Sequence, residues 1–117
     1  MLEVYGIKNC NTVKKALDWL TTNGIAYNFH DYKKEPVTLA KLQEWQTLTP
    51  WESLVNKKGT TWKKLSPEEQ AAVIDANSAN VVLLKNNSMI KRPIIELGDT
   101  IIIGFDENIY IEKINKS

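Results

Sequence analysis

This chain of 117 residues has one cysteine, one histidine and almost no net charge, and each scarcity excludes a class of protein. A single cysteine cannot close an internal disulfide, and with one histidine it cannot build a cysteine-based zinc site. Fifteen basic and fourteen acidic residues leave a net charge of +1. The sequence therefore offers no global electrostatic basis for direct binding to nucleic acid or to a membrane.

Long apolar runs and the features of an export signal are also missing. No apolar segment approaches the roughly 20 residues that cross a bilayer. The first residues lack the succession of charged, apolar and small residues that marks a secretory signal. With a lone cysteine and no such signal, we expect a protein of the reducing cytoplasm. An apolar fraction of 43% and a charged fraction of 25% predict one globular domain.

The apolar patterns change period along the chain in an order that predicts an α/β fold. The predicted elements are a strand at 2–5, a helix from 13, a strand at 25–30, strands at 94–97 and 100–103, and a final helix after 106. A helix between the first two strands implies a parallel pair. The glycine-containing turn Gly98-Asp99 predicts an antiparallel hairpin.

Between these two halves the sequence predicts only short helices. Thr38 and Ser66 are candidate N-caps, and Asn77 or Ser78 is a third. The whole chain, residues 1–117, is thus predicted to be a single thioredoxin-like domain of the glutaredoxin type. Its order is β-α-β…β-β-α around a mixed four-stranded sheet, with a helical insertion at about 37–88.

Cys10 lies where the first strand gives way to the first helix, with Asn11 or Thr12 as the predicted helix cap. Unpaired backbone N–H groups and the helix dipole favour a thiolate at that position. Three nearby lysines add positive charge: Lys8, Lys14 and Lys15. The alternative is that Cys10 is a small buried core residue, as free cysteines often are.

Arg92 and Pro93 precede the predicted third strand, which the fold places beside the end of the first strand. They are therefore expected next to Cys10. An arginine there stabilises a thiolate, and its planar group can hold a carboxylate or oxyanion by two hydrogen bonds. A proline entering a strand is compatible with a cis bond that presents backbone to a substrate. A solvated surface charge and a strand-edge proline are the alternatives.

Four separated segments carry a family resemblance. They are Gly6–Ala16, Phe29–Tyr32, Leu54–Leu65 and Ile90–Ile94. Through them the chain resembles the arsenate reductase-like (ArsC) family of thioredoxin-fold proteins, within the YffB branch that is close to the Spx regulators. The resemblance implies that Cys10 is the nucleophile and that Arg92 and Pro93 match the family's arginine and proline.

Two features of the relatives are missing from this chain. Glutathione-dependent arsenate reductases use two further arginines, and the matching positions hold Asn56 and, approximately, Gly104. A tetrahedral oxyanion therefore loses donors that bind it bidentately. Spx regulators commonly carry a two-cysteine switch, but the third position after Cys10 is Val13.

The natural chemistry of a single thiol is a mixed disulfide with a small thiol, resolved by a second molecule of that thiol. We therefore predict a glutathione-dependent thiol reductase or deglutathionylase, in which Cys10 and Arg92 are catalytic. Glutathione is the expected co-substrate, and no tightly bound cofactor or metal is expected. The predicted substrate-binding residues are Asn9, Asn11, Thr12, Lys91 and Pro93.

Two alternatives stay open. The first is an Spx-like module that binds the C-terminal domain of the RNA polymerase α subunit without catalysis. The second is a glutathione-dependent arsenate reductase. His30, the sole histidine, alternates with Phe29 at a strand end, which favours a structural or surface role.

Overall fold

The computed structural model describes residues 1–114. Its elements in chain order are β1 (Leu2–Gly6), α1 (Asn11–Thr22), β2 (Tyr27–Asp31), α2 (Leu39–Gln46), α3 (Thr60–Lys63), α4 (Pro67–Ala71), α5 (Ala76–Lys85), β3 (Ile94–Leu97), β4 (Thr100–Ile103) and α6 (Glu107–Lys113). Short 3₁₀ helices lie at Trp51–Leu54 and Asn87–Met89. No helix within residues 1–114 is long and apolar enough to cross a membrane.

The chain forms two compact units. One contains residues 1–34 together with residues 92–114, and we call it the sheet unit. The other contains residues 35–91, and we call it the helical unit. All four strands belong to the first, and α2 to α5 belong to the second.

The strands of the sheet unit form one sheet in the order β2-β1-β3-β4. β1 pairs with β2 in parallel, whereas β1 with β3 and β3 with β4 are antiparallel. The parallel pair follows from the α1 crossover, and the antiparallel pair from the tight turn at Gly98, where φ is +58°. The mixed four-stranded sheet and the thioredoxin-like α/β fold are confirmed.

Alternation along the strands decides which side of the sheet holds the core. On β1, Leu2 and Val4 are buried, whereas Glu3 and Tyr5 point to the opposite face and are half-buried. The buried cluster also includes Ala16, Leu20, Ile95, Ile102, Tyr110 and Ile114. Each fully buried aliphatic side chain contributes about 1.5–3 kcal/mol of transfer free energy, so this face anchors the sheet against α1 and α6.

Helix starts in the helical unit follow two of the three predicted caps. The Thr38 side chain accepts from the N–H of Lys41, and Ser66 forms a capping box with Glu69. The prediction of Asn77 or Ser78 as a cap is wrong, because Asp75 is the N-cap of α5. Ser78 takes part as the third residue of the same capping box, which explains why its side chain looked like a cap.

Candidate active site

Cys10 is itself the N-cap of α1. Its backbone is extended, with φ −121° and ψ 127°, and its carbonyl accepts the first helical bond, from the N–H of Lys14 at 2.9 Å. The prediction that Asn11 or Thr12 caps the helix is wrong, because α1 already begins at Asn11. The Cys10 side chain makes no capping hydrogen bond of ordinary geometry, but it lies at the N–H groups that a cap would satisfy.

The environment of Cys10 favours its ionised form. Partial burial has the largest single effect and raises the thiol pKa. The backbone N–H of Val13, the hydrogen bond and charge of Arg92, and the N–H of Thr12 all lower it. Together these outweigh burial, so the pKa of Cys10 lies below its ordinary value. At neutral pH, Cys10 is therefore a nucleophilic thiolate in a larger fraction of the protein molecules than an ordinary cysteine would be.

The sheet register explains why Arg92 reaches the sulfur. Tyr5 pairs with Ile94, so the end of β1 lies beside the residues that enter β3. Gly6 keeps this junction narrow: a Cβ there would lie 3.0 Å from Cγ2 of Val13 and 3.5 Å from Cβ of Arg92. The absence of a side chain at Gly6 thus lets the start of α1 and the arginine approach each other.

Pro93 is buried behind this junction. The Arg92–Pro93 peptide bond is cis, and the Pro93 carbonyl accepts from the N–H of Gly104 at 2.8 Å. The same Gly104 has φ +82°, a left-handed conformation that glycine adopts without penalty. The hydrogen bond therefore joins Pro93 to the residue that follows β4.

The remaining predicted binding residues divide by location. Asn9, Asn11 and Thr12 flank the sulfur with exposed side chains, and Thr12 acts on the thiol through its backbone N–H. Lys91 belongs to the helical unit, where its backbone N–H donates to the Leu54 carbonyl at 2.8 Å. Substrate contact by these four residues stays a prediction.

Tyr32 is a buried residue near Arg92 that sequence reasoning did not single out. It follows β2, is 3% exposed, and its hydroxyl has no hydrogen-bond partner within residues 1–114. Burial raises the pKa of the phenol well above its ordinary value, although the positive charge of Arg92 opposes that rise. A neutral phenol therefore lies within the electrostatic reach of the same guanidinium that favours the Cys10 thiolate.

His30 lies on the sheet face opposite the buried cluster. Its ring contacts the Glu3 carboxylate at 2.8 Å and stacks on Tyr5 with centroids 4.5 Å apart. The hydrogen bond from His30, and then that from Asn28, lower the pKa of Glu3. These contacts join β1 to β2 and agree with a structural role for the histidine.

We also searched residues 1–114 for side chains that could bind a metal ion. Within residues 1–114, no group of three His, Cys, Asp or Glu side chains lies close enough to hold a metal ion. The arrangement at the start of α1 is a half-buried, ionisable sulfur with an arginine beside it, which suits thiol–disulfide exchange.

A family model described as "ArsC family" matches residues 5–112. The chain belongs to the ArsC family. Among its relatives is an uncharacterised protein of Haemophilus influenzae, 44% identical over 110 residues that cover 94% of this chain and 96% of that protein. A solved structure called YFFB is 38% identical, covers 97% of this chain and 98% of its own, and superposes with a TM-score of 0.91. The sequence resemblance to ArsC proteins is confirmed.

The chain is also similar, at a lower identity, to a regulator. The global transcriptional regulator Spx of Lactiplantibacillus plantarum is 22% identical over 110 residues, covering 92% of this chain and 82% of the regulator. This chain therefore has a distant relative that is named for regulation, and family membership alone does not select one activity.

Proposed function

We propose that this ArsC-family protein is a glutathione-dependent thiol reductase that resolves mixed disulfides through Cys10. One observation carries the proposal: the Cys10 pKa is lowered by backbone N–H groups and by Arg92 despite partial burial. A structural cysteine needs no such arrangement, because burial in apolar surroundings keeps a thiol protonated and inert.

The reaction proceeds by two thiol–disulfide exchanges. The Cys10 thiolate attacks the glutathione sulfur of a mixed disulfide, the old S–S bond breaks, and the other thiol leaves as a thiolate that takes a proton from solvent. Cys10 then carries glutathione. A second glutathione thiolate attacks the glutathione sulfur of that adduct, which releases oxidised glutathione and restores the Cys10 thiolate. The net reaction consumes one reduced glutathione per mixed disulfide: its sulfur is oxidised as it joins the first glutathione, and the sulfur of the released thiol is reduced.

Arg92 has two roles in this scheme. Its guanidinium stabilises the thiolate before attack and after the second exchange, when Cys10 is again the leaving group. The planar guanidinium also has several N–H donors, and we propose that one edge of it binds a carboxylate of glutathione. Asn9, Asn11 and Thr12 flank the sulfur as proposed substrate contacts, and the backbone at Pro93 aligns the disulfide.

Mass spectrometry tests the proposal directly, because a chain with one cysteine leaves no ambiguity about the modified residue. Incubation with oxidised glutathione is expected to give a one-to-one adduct on Cys10. Subsequent addition of reduced glutathione is expected to remove that adduct. A Cys10→Ser variant provides the blank. Failure of the native protein to form the adduct, with Cys10 reactive toward a neutral alkylating agent, would refute glutathione dependence.

A second candidate function is partner binding, and the similarity to the Spx regulator supports it. In this version the protein binds the C-terminal domain of the RNA polymerase α subunit without catalysis. The test is a pull-down with that purified domain, using native protein and Cys10→Ser in parallel. Equal retention of both supports a redox-independent module, and loss of signal for both removes it.

Of the three candidate functions, arsenate reduction has the least support from the residues of the site. The positions that hold oxyanion-binding arginines in arsenate reductases are Asn56 and, approximately, Gly104 in this chain. A single guanidinium at Arg92 leaves a tetrahedral dianion with few bidentate donors. We therefore expect no arsenate-dependent oxidation of glutathione above the Cys10→Ser blank.

A further inference from the structure

The outer edge of β4 has no part in the thiol chemistry proposed above. β4 is the last strand in the order β2-β1-β3-β4, and within residues 1–114 no strand pairs with its outer side. The hydrogen bond from the N–H of Gly104 to the Pro93 carbonyl fixes the phase of the β3–β4 pairing. Thr100 and Ile102 therefore bond toward β3, whereas Ile101 and Ile103 direct their N–H and C=O groups outward.

The β4 edge carries none of the devices that usually protect a strand edge. Charged side chains, prolines and bulges keep other strands away from an edge. The sequence of β4 is Thr-Ile-Ile-Ile, and its pairing with β3 runs without a bulge. The other edge strand, β2, is protected by the polar residues Asn28, His30 and Asp31. An added strand is therefore accepted more readily at β4 than at β2.

The ends of the β4 edge are acidic. Asp99 precedes the strand, and Asp106 and Glu107 follow it. The sequence from 99 to 112 contains four acidic residues and no lysine or arginine. None of these acids forms an ion pair within residues 1–114. The edge is therefore apolar in its middle and negative at both ends.

This charge pattern fits a foreign strand better than a second copy of the chain. In the two-fold register that pairs Ile101 with Ile103, Asp99 of one copy lies opposite Phe105 of the other, next to Asp106. Like charges would therefore meet at both ends of such a dimer. A segment with an apolar middle and a basic residue at each end complements the edge instead.

The β4 edge and the thiol lie at the same end of the sheet. Ile103 pairs with Ile94, and Arg92, two residues earlier in the chain, acts on the sulfur of Cys10. Neighbouring strands are about 4.8 Å apart, so a strand added to β4 lies roughly 14 Å from β1. About four extended residues span that distance. A segment bound at the edge can therefore reach Cys10 through a short linker.

We propose that the β4 edge binds an extended segment of a glutathionylated protein as a fifth, antiparallel strand. The inference rests on the proposed reductase function and names its substrate class, a protein mixed disulfide. An antiparallel segment begins at the Ile103 end of β4, so its modified cysteine lies about four residues before the strand. The exchange at Cys10 is the one described above, and the edge adds only binding.

The first experiment compares two glutathionylated peptides on the native protein. Each has its modified cysteine four residues before a stretch of alternating valine and threonine between two lysines. The second peptide has proline at one position whose N–H would bond to β4. We expect kcat/KM for glutathione exchange to be about tenfold higher for the first peptide, the scale of one or two lost backbone hydrogen bonds. Equal values would overturn the proposal.

Variants at the edge test its two features separately. Asp99→Lys reverses an exposed charge and is expected to reduce the preference by about two- to fivefold, the scale of a surface ion pair. A glutamate in place of the peptide's second lysine should restore it. Asp18→Lys makes the same charge change at an exposed position on α1 and should retain the native preference. Equal losses in both variants would overturn the site.

Ile101→Pro removes one outward N–H while leaving the bonds to β3 in place, which an edge strand tolerates. This variant should exchange the glutathione disulfide of a small thiol at the native rate and lose the preference between the two peptides. Retention of the preference would overturn the proposal. So would a native dimer in sedimentation experiments that Ile101→Pro abolishes, because a second copy would then occupy the edge.

An NMR titration of Cys10→Ser with a cysteine-free form of the first peptide separates this proposal from the proposed function. Saturable shifts are expected at the backbone amides of Ile101 and Ile103. If these shifts occur and no disulfide is exchanged by the native protein, the reductase function is wrong and the edge stands as a peptide site. If a small glutathione disulfide is exchanged and no shifts occur, the edge proposal is wrong and the reductase function is untouched.

Discussion

The two units of this protein place positive charge in opposite ways. In the sheet unit, Arg92 lies against the sulfur of Cys10 and lowers its pKa. In the helical unit, three lysines surround an open pocket and have no ion-pair partner within residues 1–114. The first cation stabilises an anion that the protein itself supplies. The three lysines (Lys57, Lys58 and Lys91) have only one carboxylate in the same lining, that of Glu52.

The difference follows from the residue types. A guanidinium is planar and weakly hydrated, so it can stay beside a half-buried sulfur and still offer further donors. An ammonium group is compact and strongly hydrated, so it remains exposed until a ligand exchanges with its water. The contrast predicts that changes beside Cys10 in the sheet unit alter the reactivity of the thiol.

The largest expected effect comes from Cys10→Ser. Serine is nearly isosteric but is not ionised at neutral pH, so all glutathione exchange is expected to stop. The measurement is turnover of a mixed disulfide of glutathione with a small thiol, followed through oxidised glutathione. Residual turnover above the uncatalysed rate would show that Cys10 is not the nucleophile of the exchange.

Gly6→Ala is expected to disturb the thiol through its surroundings. The added methyl group lies 3.0 Å from Cγ2 of Val13, which is fully buried and has little room to move. We expect a loss of about 1–3 kcal/mol in the free energy of unfolding, as for other overpacked sites. Because the N–H of Val13 is displaced, the Cys10 pKa is expected to rise.

Denaturant unfolding and the pH dependence of iodoacetamide alkylation measure the two effects of Gly6→Ala separately. Gly98→Ala is the stability control: it is strained at φ +58°, but it lies in the β3–β4 turn and its Cβ meets no other atom within 4 Å. It should lower stability and leave the alkylation profile unchanged. A Gly6→Ala protein with native alkylation would show that the narrow junction does not tune the sulfur.

Arg92→Ala is expected to raise the pKa of Cys10, because a hydrogen bond and a positive charge are removed from the thiolate. Glutathione exchange at pH 7 should slow by about tenfold, the scale of one lost hydrogen bond to a charged group. Lys14→Ala is the matched control, since Lys14 follows Cys10 closely in the chain but lies exposed. Equal changes in both variants would mean that general positive charge, and not the guanidinium contact, activates the thiol.

The same contact predicts how stability depends on pH. The folded-state pKa of Cys10 is below its ordinary value, so the folded protein binds fewer protons than the unfolded chain between those two pKa values. The stabilisation is absent below the folded pKa, grows as pH rises, and is complete above the unfolded pKa of about 8.5. The stability difference between native protein and Cys10→Ser should therefore grow toward alkaline pH, and should do so less in an Arg92→Ala background.

Sequence reasoning was sufficient for the sheet unit because few topologies satisfy its constraints. A helical crossover demands a parallel pair, and a glycine turn demands a hairpin. With the strand order set, the residue before β3 must lie beside the end of β1, which brings Arg92 to Cys10. The resemblance to ArsC proteins selected the same two residues independently.

What the sequence could not predict depends on loops and on packing. The N-cap was missed because cysteine is not a preferred capping residue, although its sulfur lies at the same N–H groups. The pairing of 54–56 with 89–91 joins two irregular segments that have no periodic signal. The sequence therefore did not predict that these two segments pair.

The smallest expected effect concerns Tyr32, whose side chain is buried and lies within the electrostatic influence of Arg92. Its hydroxyl is out of water and has no partner within residues 1–114, so the folded state carries a desolvation cost. Tyr32→Phe removes that cost and is expected to raise the free energy of unfolding by about 1 kcal/mol. Tyr110→Phe is the control of opposite sign, because the Tyr110 hydroxyl donates to the Gly104 carbonyl and its loss should lower stability by about the same amount.

Reactivity decides what the Tyr32 hydroxyl is for. If it only fills space, Tyr32→Phe should be more stable and should exchange glutathione at the native rate, with an unchanged Cys10 pKa. If it helps to hold the guanidinium that serves the thiolate, the stabilised variant should show a raised Cys10 pKa and slower exchange. We expect the first outcome for the pKa, because Tyr32 has no direct effect on the sulfur, whereas Val13, Arg92 and Thr12 do. A change in the alkylation profile of Tyr32→Phe would instead show that the buried hydroxyl acts on the thiol through Arg92, and it would add Tyr32 to the candidate site.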